Sequence, residues 1–201
     1  MTDRGVARRP LADAVAQAVR AGVDWVQLRE RELSGRQLLE LADGVAEAAR
    51  CAARERGEEV RIVVNRRADV ALAIGADGVH LGFDAVDARC ARRLLGDSAL
   101  LGVSTHHPDE LRERGAGATY AQLAPVFAPL SKAPARPPLG LAALAAASAC
   151  GLPVLAQGGI DASNAAAARD AGACGVAVTG AILMADDPGA AAAALRRALD
   201  G

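Results

Sequence analysis

Two segments decide the fold: Pro153-Val-Leu-Ala-Gln-Gly-Gly-Ile-Asp-Ala-Ser-Asn164 and, after an intervening amphipathic span, Gly175-Val-Ala-Val-Thr-Gly-Ala-Ile-Leu183. Each is a short apolar run that stops at glycine. Parallel strands buried on both faces have this form: a few apolar residues, then a turn. Gly158-Gly159 and Gly180 stand where strands should end and helices begin. N–H groups at a helix start lack an intrahelical partner and lie at the positive end of the dipole, so they favour an anion. One such turn could be a tight turn and nothing more. Two of them, about twenty residues apart on consecutive β–α units, describe a phosphate cup of the kind formed after strands seven and eight of a (βα)8 barrel.

Upstream, the same strand–helix alternation repeats without a linker. Leu11 to Ala21 has helical periodicity and ends at Gly22; Asp24-Trp-Val-Gln-Leu-Arg-Glu alternates as a strand. On that strand Val26 and Leu28 share one face, and Trp25, Gln27 and Arg29 share the other. In a barrel the Val/Leu face meets the helices, so Gln27 and Arg29 should face the axis near its top. Ser34 should cap a helix running from about Gly35 to Arg56. Strands are expected at Val60–Asn65, Gly78–Gly82, Leu100–Ser104 and Tyr120–Val126. Helices are expected over Ala68–Ile74, Val86–Leu95, Leu141–Ala149 and Pro188–Leu199, with Thr105-His-His-Pro-Asp-Glu as a cap and helix start. Seven strands are counted from Trp25 onward. A closed barrel needs one more before Leu11, where only the polar Met1 to Arg9 remains. The expected fold is therefore a (βα)8 TIM barrel with a short or truncated first strand, one domain over residues 1–201. An open doubly wound sheet is the alternative.

Composition excludes several functions. The net charge is −1, which offers no attraction to nucleic acid or an anionic membrane. Trp25, Phe83, Tyr120 and Phe127 are the aromatic residues, too few for a base-stacking surface. Cys51, Cys90, Cys150 and Cys174 are scattered and suit small buried residues of a reducing compartment better than a disulfide framework. No apolar run is long enough to span a membrane, and the N-terminus has no apolar signal-peptide core, so a cytoplasmic location is expected.

Active sites of such barrels sit at the carboxyl ends of the strands. Those ends carry Gln27, Arg29 and Arg31; Asn65 and Arg66; Gly82 to Asp84; Ser104 and His106; the Ser131-Lys132 loop; Gly158-Gly159; and Thr179-Gly180. Any one arginine could be a solvated surface charge. Clustered at one mouth, Arg29, Arg31, Arg66 and Lys132 suit a phosphorylated or pyrophosphorylated substrate. His80 should face the barrel interior as a satisfied core residue. His106 and His107 suit capping or exposure. No metal-ligand spacing, nucleophile elbow, Walker loop or dinucleotide fingerprint is present.

Several motifs, in order along the chain, resemble thiamine phosphate synthase and its TenI-type relatives. They are Gln27-Leu-Arg-Glu-Arg, Asn65 with Arg67 and Asp69-Val-Ala-Leu, Gly78-Val-His-Leu-Gly, Gly102-Val-Ser-Thr-His and Pro125-Val-Phe with Ser131-Lys132 and Pro137-Pro-Leu-Gly. Gly158-Gly-Ile and Val178-Thr-Gly-Ala-Ile complete the series. Thr2-Asp3-Arg4 resembles the end of the family's first strand, which implies a start slightly further upstream. The resemblance implies a (βα)8 barrel that joins a pyrimidine pyrophosphate to a thiazole phosphate, with small-molecule partners, no nucleic acid or membrane, and a homodimer left open.

By resemblance, Gln27, Arg29, Arg31, Asn65 and Ser104 would hold the pyrimidine pyrophosphate. Ser131 and Lys132 would close over both substrates, and Gly159, Thr179 and Gly180 would bind the thiazole phosphate. Arg29, Ser104 and Lys132 are the catalytic candidates. The family also implies Mg2+, held by two aspartates. Here those positions are Arg66 and Ala85, with Asp84 one place early as the remaining candidate ligand and Asp87 two late. The replacements remove two negative charges and add a positive one. Arg66 could neutralise the pyrophosphate directly, Asp84 could still bind the metal, or synthase activity could be lost. TenI-type thiazole tautomerases also lack the metal aspartates, but their catalytic histidine falls near Ala124 and Pro125, where the sequence has none. A tautomerase and a non-catalytic phosphate-ligand binder are the alternatives to the synthase.

Overall fold

The structure, a computed structural model, describes residues 1–128 and 136–201. Ser131 and Lys132 lie outside the described residues. Seven strands form one parallel sheet in sequence order: β1 Trp25–Leu28, β2 Arg61–Asn65, β3 Gly78–Leu81, β4 Leu100–Thr105, β5 Tyr120–Leu123, β6 Val154–Gln157 and β7 Gly175–Ala177. The helices are α1 Leu11–Arg20, α2 Gly35–Glu55, α3 Ala68–Ala73, α4 Ala88–Leu95, α5 Glu110–Arg114, α6 Gly140–Ser148, α7 Ala165–Asp170, α8 Gly180–Leu183 and α9 Pro188–Asp200. Unbroken sequence order with parallel pairing is barrel topology; a doubly wound sheet would reverse its order.

The alternating apolar residues of the strands build the layer beneath the helices. Val26, Leu28, Ile62, Val64, Val79, Leu81, Leu101, Val103 and Leu123 are all buried there. Each such side chain contributes roughly 1.5–3 kcal/mol when removed from water. The opposite faces of the same strands meet along the axis. Its lower part is filled by Tyr120 and His80, and Trp25 meets the Tyr120 ring edge-on at 5.1 Å. Gly102 leaves room for them: a Cβ there would lie 2.1 Å from Tyr120 Cζ and 2.5 Å from His80 Nδ1.

The gap between β7 and β1 is bridged by two residues. Met1 N donates to the Val178 carbonyl at 2.8 Å, and Thr2 N donates to the Gln27 carbonyl at 2.8 Å. The Arg29 amide then donates to Thr2 Oγ1 at 2.9 Å. Met1-Thr2 thus takes the place of the short first strand.

Local expectations hold at α2, where Ser34 and Gln37 form a reciprocal capping box that satisfies two orphan donors. After β4 the expected cap and helix start falls at the end of the Thr105–Glu110 segment. Asp109 is the N-cap position, without a side-chain cap bond, and α5 starts at Glu110, whose carboxylate accepts from the His106 amide at 2.8 Å and from Thr105 Oγ1 at 3.0 Å. Asp87 is the N-cap of α4, accepting from the Cys90 amide at 2.8 Å.

Candidate active site

The strands deliver their last residues to one mouth, a cavity of about 300 Å3. Gln27, Arg29, Arg31, Asn65, Arg66, Asp84 and Ser104 all line it. Gln27 and Arg29 do face the axis near the top: Gln122 Nε2 donates across the barrel to Gln27 Oε1 at 2.9 Å. Gln27 Nε2 points to Asn65 Oδ1 at 3.5 Å, the outer limit of a hydrogen bond. Arg29 is half-buried. Burial, and then the neighbouring Arg31, push its guanidinium below the usual range. A desolvated guanidinium next to a second one is primed to gain from an anionic ligand.

Ser104 is held by a buried relay. His80 is 1 % exposed and lies between Tyr120 OH at 3.2 Å and Ser104 Oγ at 2.9 Å. Burial, with Arg29 and Arg114 adding to it, lowers its pKa to about 3, so the imidazole is neutral. Burial also raises the Tyr120 hydroxyl, which keeps its proton. A buried hydroxyl must donate, and His80 Nδ1 is its partner among the described residues. The network therefore assigns the His80 proton to Nε2, which donates to Ser104 Oγ. The Ser104 hydroxyl hydrogen is left free to donate into the mouth.

The other side of the mouth contains His106, Phe83 and Arg114. His106 stacks on Phe83 with centroids 4.3 Å apart and planes at 19°. The Arg114 guanidinium carbon lies 4.3 Å from the same ring centroid. Arg114 donates to the Ser104 carbonyl at 2.9 Å and the Gly82 carbonyl at 3.1 Å, tying the ends of β3 and β4 together. His106 Nδ1 lies 2.6 Å from the Ala124 carbonyl. A carbonyl only accepts, so Nδ1 is the donor in this bond and Nε2 is the ring nitrogen left for a ligand. The segment before Val126 has no histidine, as read from the sequence, but the fold brings His106 to Ala124 from the neighbouring strand end.

The glycine turns differ from their sequence reading. Gly158-Gly159 does not open a helix, because α7 begins only at Ala165. Both glycines have positive φ, and a Cβ on Gly159 would lie 2.2 Å from the Ala128 carbonyl oxygen. Asn164 Nδ2 donates to the Gly159 carbonyl at 2.8 Å, turning the chain back. Gln157 pairs with Ala177, the last register pair of β6 and β7. Gly180 opens the four-residue α8, whose first amides lack intrahelical partners. The Thr179 hydroxyl is buried without a hydrogen-bond partner among the described residues. Thr179 lines a separate cavity of about 40 Å3 between β1 and β7, and Gly159, Thr179 and Gly180 are not among the described residues that line the mouth.

The residues present do not fit a divalent cation. Asp84 Oδ2 lies 2.8 Å from Arg66 Nη1 and 3.9 Å from Arg31 Nη2. No group of three or more His, Cys, Asp or Glu side chains is poised to hold a metal among the described residues. With Asp84 Oδ2 engaged by two guanidiniums and Asp87 Oδ1 capping α4, the described residues present no converging set of oxygen ligands.

Sequence reasoning overlooked Gln122, Gln157, Tyr120 and the role of His106. A signal for the glutamines existed: Trp-Val-Gln-Leu, Tyr-Ala-Gln-Leu and Val-Leu-Ala-Gln each place one polar residue near the end of an apolar strand.

Comparison with known proteins agrees with this geometry. The family model for "Thiamine monophosphate synthase" matches residues 1–182. A thiamine-phosphate synthase of Roseiflexus sp. (strain RS-1) is 42% identical over 198 residues, covering 97% of this chain and 81% of that protein. One of Chloroflexus aurantiacus is 42% identical over 199 residues, covering 98% and 89%. Among solved structures, thiamine phosphate pyrophosphorylase from Pyrococcus furiosus superposes with a TM-score of 0.84 at 28% identity, covering 98% of this chain and 92% of that one. With a parallel barrel, a cationic mouth and a match along nearly its whole length, this chain belongs to the thiamine monophosphate synthase family.

Proposed function

We propose that the chain is a transferase that joins hydroxymethylpyrimidine pyrophosphate to thiazole phosphate, giving thiamine phosphate and pyrophosphate. The observation that supports this most is the convergence of Arg29, Arg31 and Arg66 with the amides of Gln27 and Asn65 and the free Ser104 hydroxyl hydrogen around one cavity. In the reaction, the bond between the pyrimidine methylene carbon and the pyrophosphate oxygen breaks, and its electron pair leaves with the oxygen. The thiazole nitrogen lone pair then forms the new C–N bond, and no proton has to move. Fixed cations and donors lower the cost of the leaving anion. Two anchored phosphates bring the reactants together.

In this reading Arg29 and Arg31 hold the pyrophosphate, Gln27, Asn65 and Ser104 orient the pyrimidine, and the Gly159, Thr179 and Gly180 backbone holds the thiazole phosphate. Ser131 and Lys132, outside the described residues, belong to the same proposal as the segment that closes over both substrates. The test is to incubate purified protein with both substrates and score thiamine phosphate and pyrophosphate together. Equal amounts of the two products are expected, with turnover lost in Lys132→Ala.

A second reading draws on one observation. His106 lines the mouth with Nδ1 held by the Ala124 carbonyl, and an imidazole so placed is suited to moving a proton on a thiazole ring, as a tautomerase would. Conversion of an isomeric thiazole phosphate without pyrimidine, and without thiamine phosphate in the two-substrate assay, would replace the synthase reading with this one.

A further inference from the structure

The mouth has the wrong charge for a dication and the right charge for a bare pyrophosphate. Arg29, Arg31 and Arg66 face it, and Asp84 is the one carboxylate among the residues that line it. A divalent cation would add to an existing positive excess, whereas a pyrophosphate would neutralise it. Arg66 has a conformation unlike any other non-glycine residue described: its φ is +66°, in the left-handed region. That region is costly for a side chain as bulky as arginine.

The backbone is held there by two hydrogen bonds. The Arg66 amide donates to the His80 carbonyl at 2.8 Å, and the next amide, of Arg67, donates back to the Asn65 carbonyl at 2.8 Å. The conformation directs the Arg66 side chain over Gly82, where its Cδ would lie 3.9 Å from a Cβ on that glycine, and on to Asp84. Arg67, by contrast, is committed to Asp69 at 2.8 and 2.5 Å.

We propose that Arg66 takes the place of a divalent cation: the mouth binds a pyrophosphate group without metal, and the guanidinium passes from Asp84 to the ligand. Asp84 is then a competitor that holds Arg66 in place until the anion arrives. The inference rests on the proposed synthase reading for the identity of the ligand, but its own content is the metal-free exchange. A planar guanidinium suits the exchange, because it can meet a phosphate through two parallel N–H donors as it meets a carboxylate. An exposed ion pair of this kind is weak enough to be displaced.

The test is calorimetric titration of the full chain with inorganic pyrophosphate, in EDTA and in Mg2+. Binding in EDTA is expected, with no tightening by Mg2+. Three variants sharpen it. Glycine is the residue that suits a φ of +66°, so Arg66→Gly removes the guanidinium while relieving the backbone. It should bind pyrophosphate at least ten-fold more weakly in EDTA, with an undiminished melting temperature. Asp84→Asn, which removes the competitor, should bind several-fold more tightly in EDTA. Arg66→Asp combined with Ala85→Asp should bind pyrophosphate only with Mg2+.

Binding by the natural chain only in Mg2+, weaker binding in Asp84→Asn, or unchanged binding in Arg66→Gly would each overturn the exchange and leave the synthase reading standing. No binding in either condition would remove pyrophosphate from this mouth and overturn both.

Discussion

The strand ends on the two sides of the barrel offer an anion different physical means of binding. The half built from β1 to β4 uses side chains: Arg29, Arg31 and Arg66 bring full charges, and Asp84, Gln27 and Asn65 restrain or accompany them. The side built from β6 and β7 offers backbone at its turns. Gly158 and Gly159 have positive φ and lie against Pro125 and Ala128 so closely that a Cβ would collide. The contrast teaches where each half can change. A charge on a long side chain can be gained, lost or redirected by one substitution, and the fold tolerates it. A turn that brings N–H groups to an anion demands glycine at fixed positions. Arg66 and Ala85 both lie in the first half.

The largest effect expected from breaking this contrast is in the backbone half. Gly159→Val puts a branched side chain at a φ of +62° and 2.2 Å from the Ala128 carbonyl oxygen. It should cost about 2 kcal/mol or more in stability and lower activity by more than ~100-fold through loss of the thiazole phosphate. Chemical denaturation and a thiazole phosphate titration check both parts; a stable variant with normal binding would show that the turn is not a ligand site.

In the side-chain half, Arg29→Gln should keep the fold and lose about 100-fold in kcat/KM, the usual cost of removing one charge-assisted donor to a leaving anion. An unchanged melting temperature with that loss would separate the halves cleanly. Loss of stability equal to that of Gly159→Val would erase the distinction.

The relay beneath Ser104 makes a third prediction through pH. The His80 pKa is lowered from 6.5 to about 3. Between these values the unfolded chain binds a proton that the folded chain does not. The stabilisation is full above pH 6.5 and falls by about 1.4 kcal/mol per pH unit as the pH drops toward 3. Urea midpoints measured at falling pH should show this slope, and His80→Gln should flatten it. An equal slope in both proteins would place the acid sensitivity elsewhere.

The smallest effect belongs to Tyr120→Phe. Without the Tyr120 donor, His80 can place its proton on either nitrogen, and the Ser104 hydroxyl no longer has a fixed direction. A several-fold fall in kcat/KM is expected, about the worth of one hydrogen bond. The nitrogen NMR spectrum of His80 should change from a protonated Nε2 to a mixture of tautomers. A protonated Nδ1 in the natural protein would refute the assignment.

What the sequence alone determined is local. The short apolar runs in Val60 to Asn65 and Gly78 to Leu81 are a property of neighbouring residues, because a strand buried on both faces needs apolar side chains in succession. The Ser34–Gln37 capping box is likewise contained in four consecutive positions. The strand-end residues Gln27, Arg29, Asn65 and Ser104 were therefore legible as a set, since barrel topology brings every strand end to one rim.

Only the tertiary structure decided how they meet. Gln122 reaches Gln27 across 95 residues, and His106 reaches Ala124 across 18. Arg66 turns to Asp84 because one left-handed residue redirects its side chain. The path of Asp161 to Asn164, not a helix start, shapes the turn at Gly159. These contacts depend on strand register and on loop paths, which are set by the packing of the whole barrel and leave no periodic trace in the residues that make them.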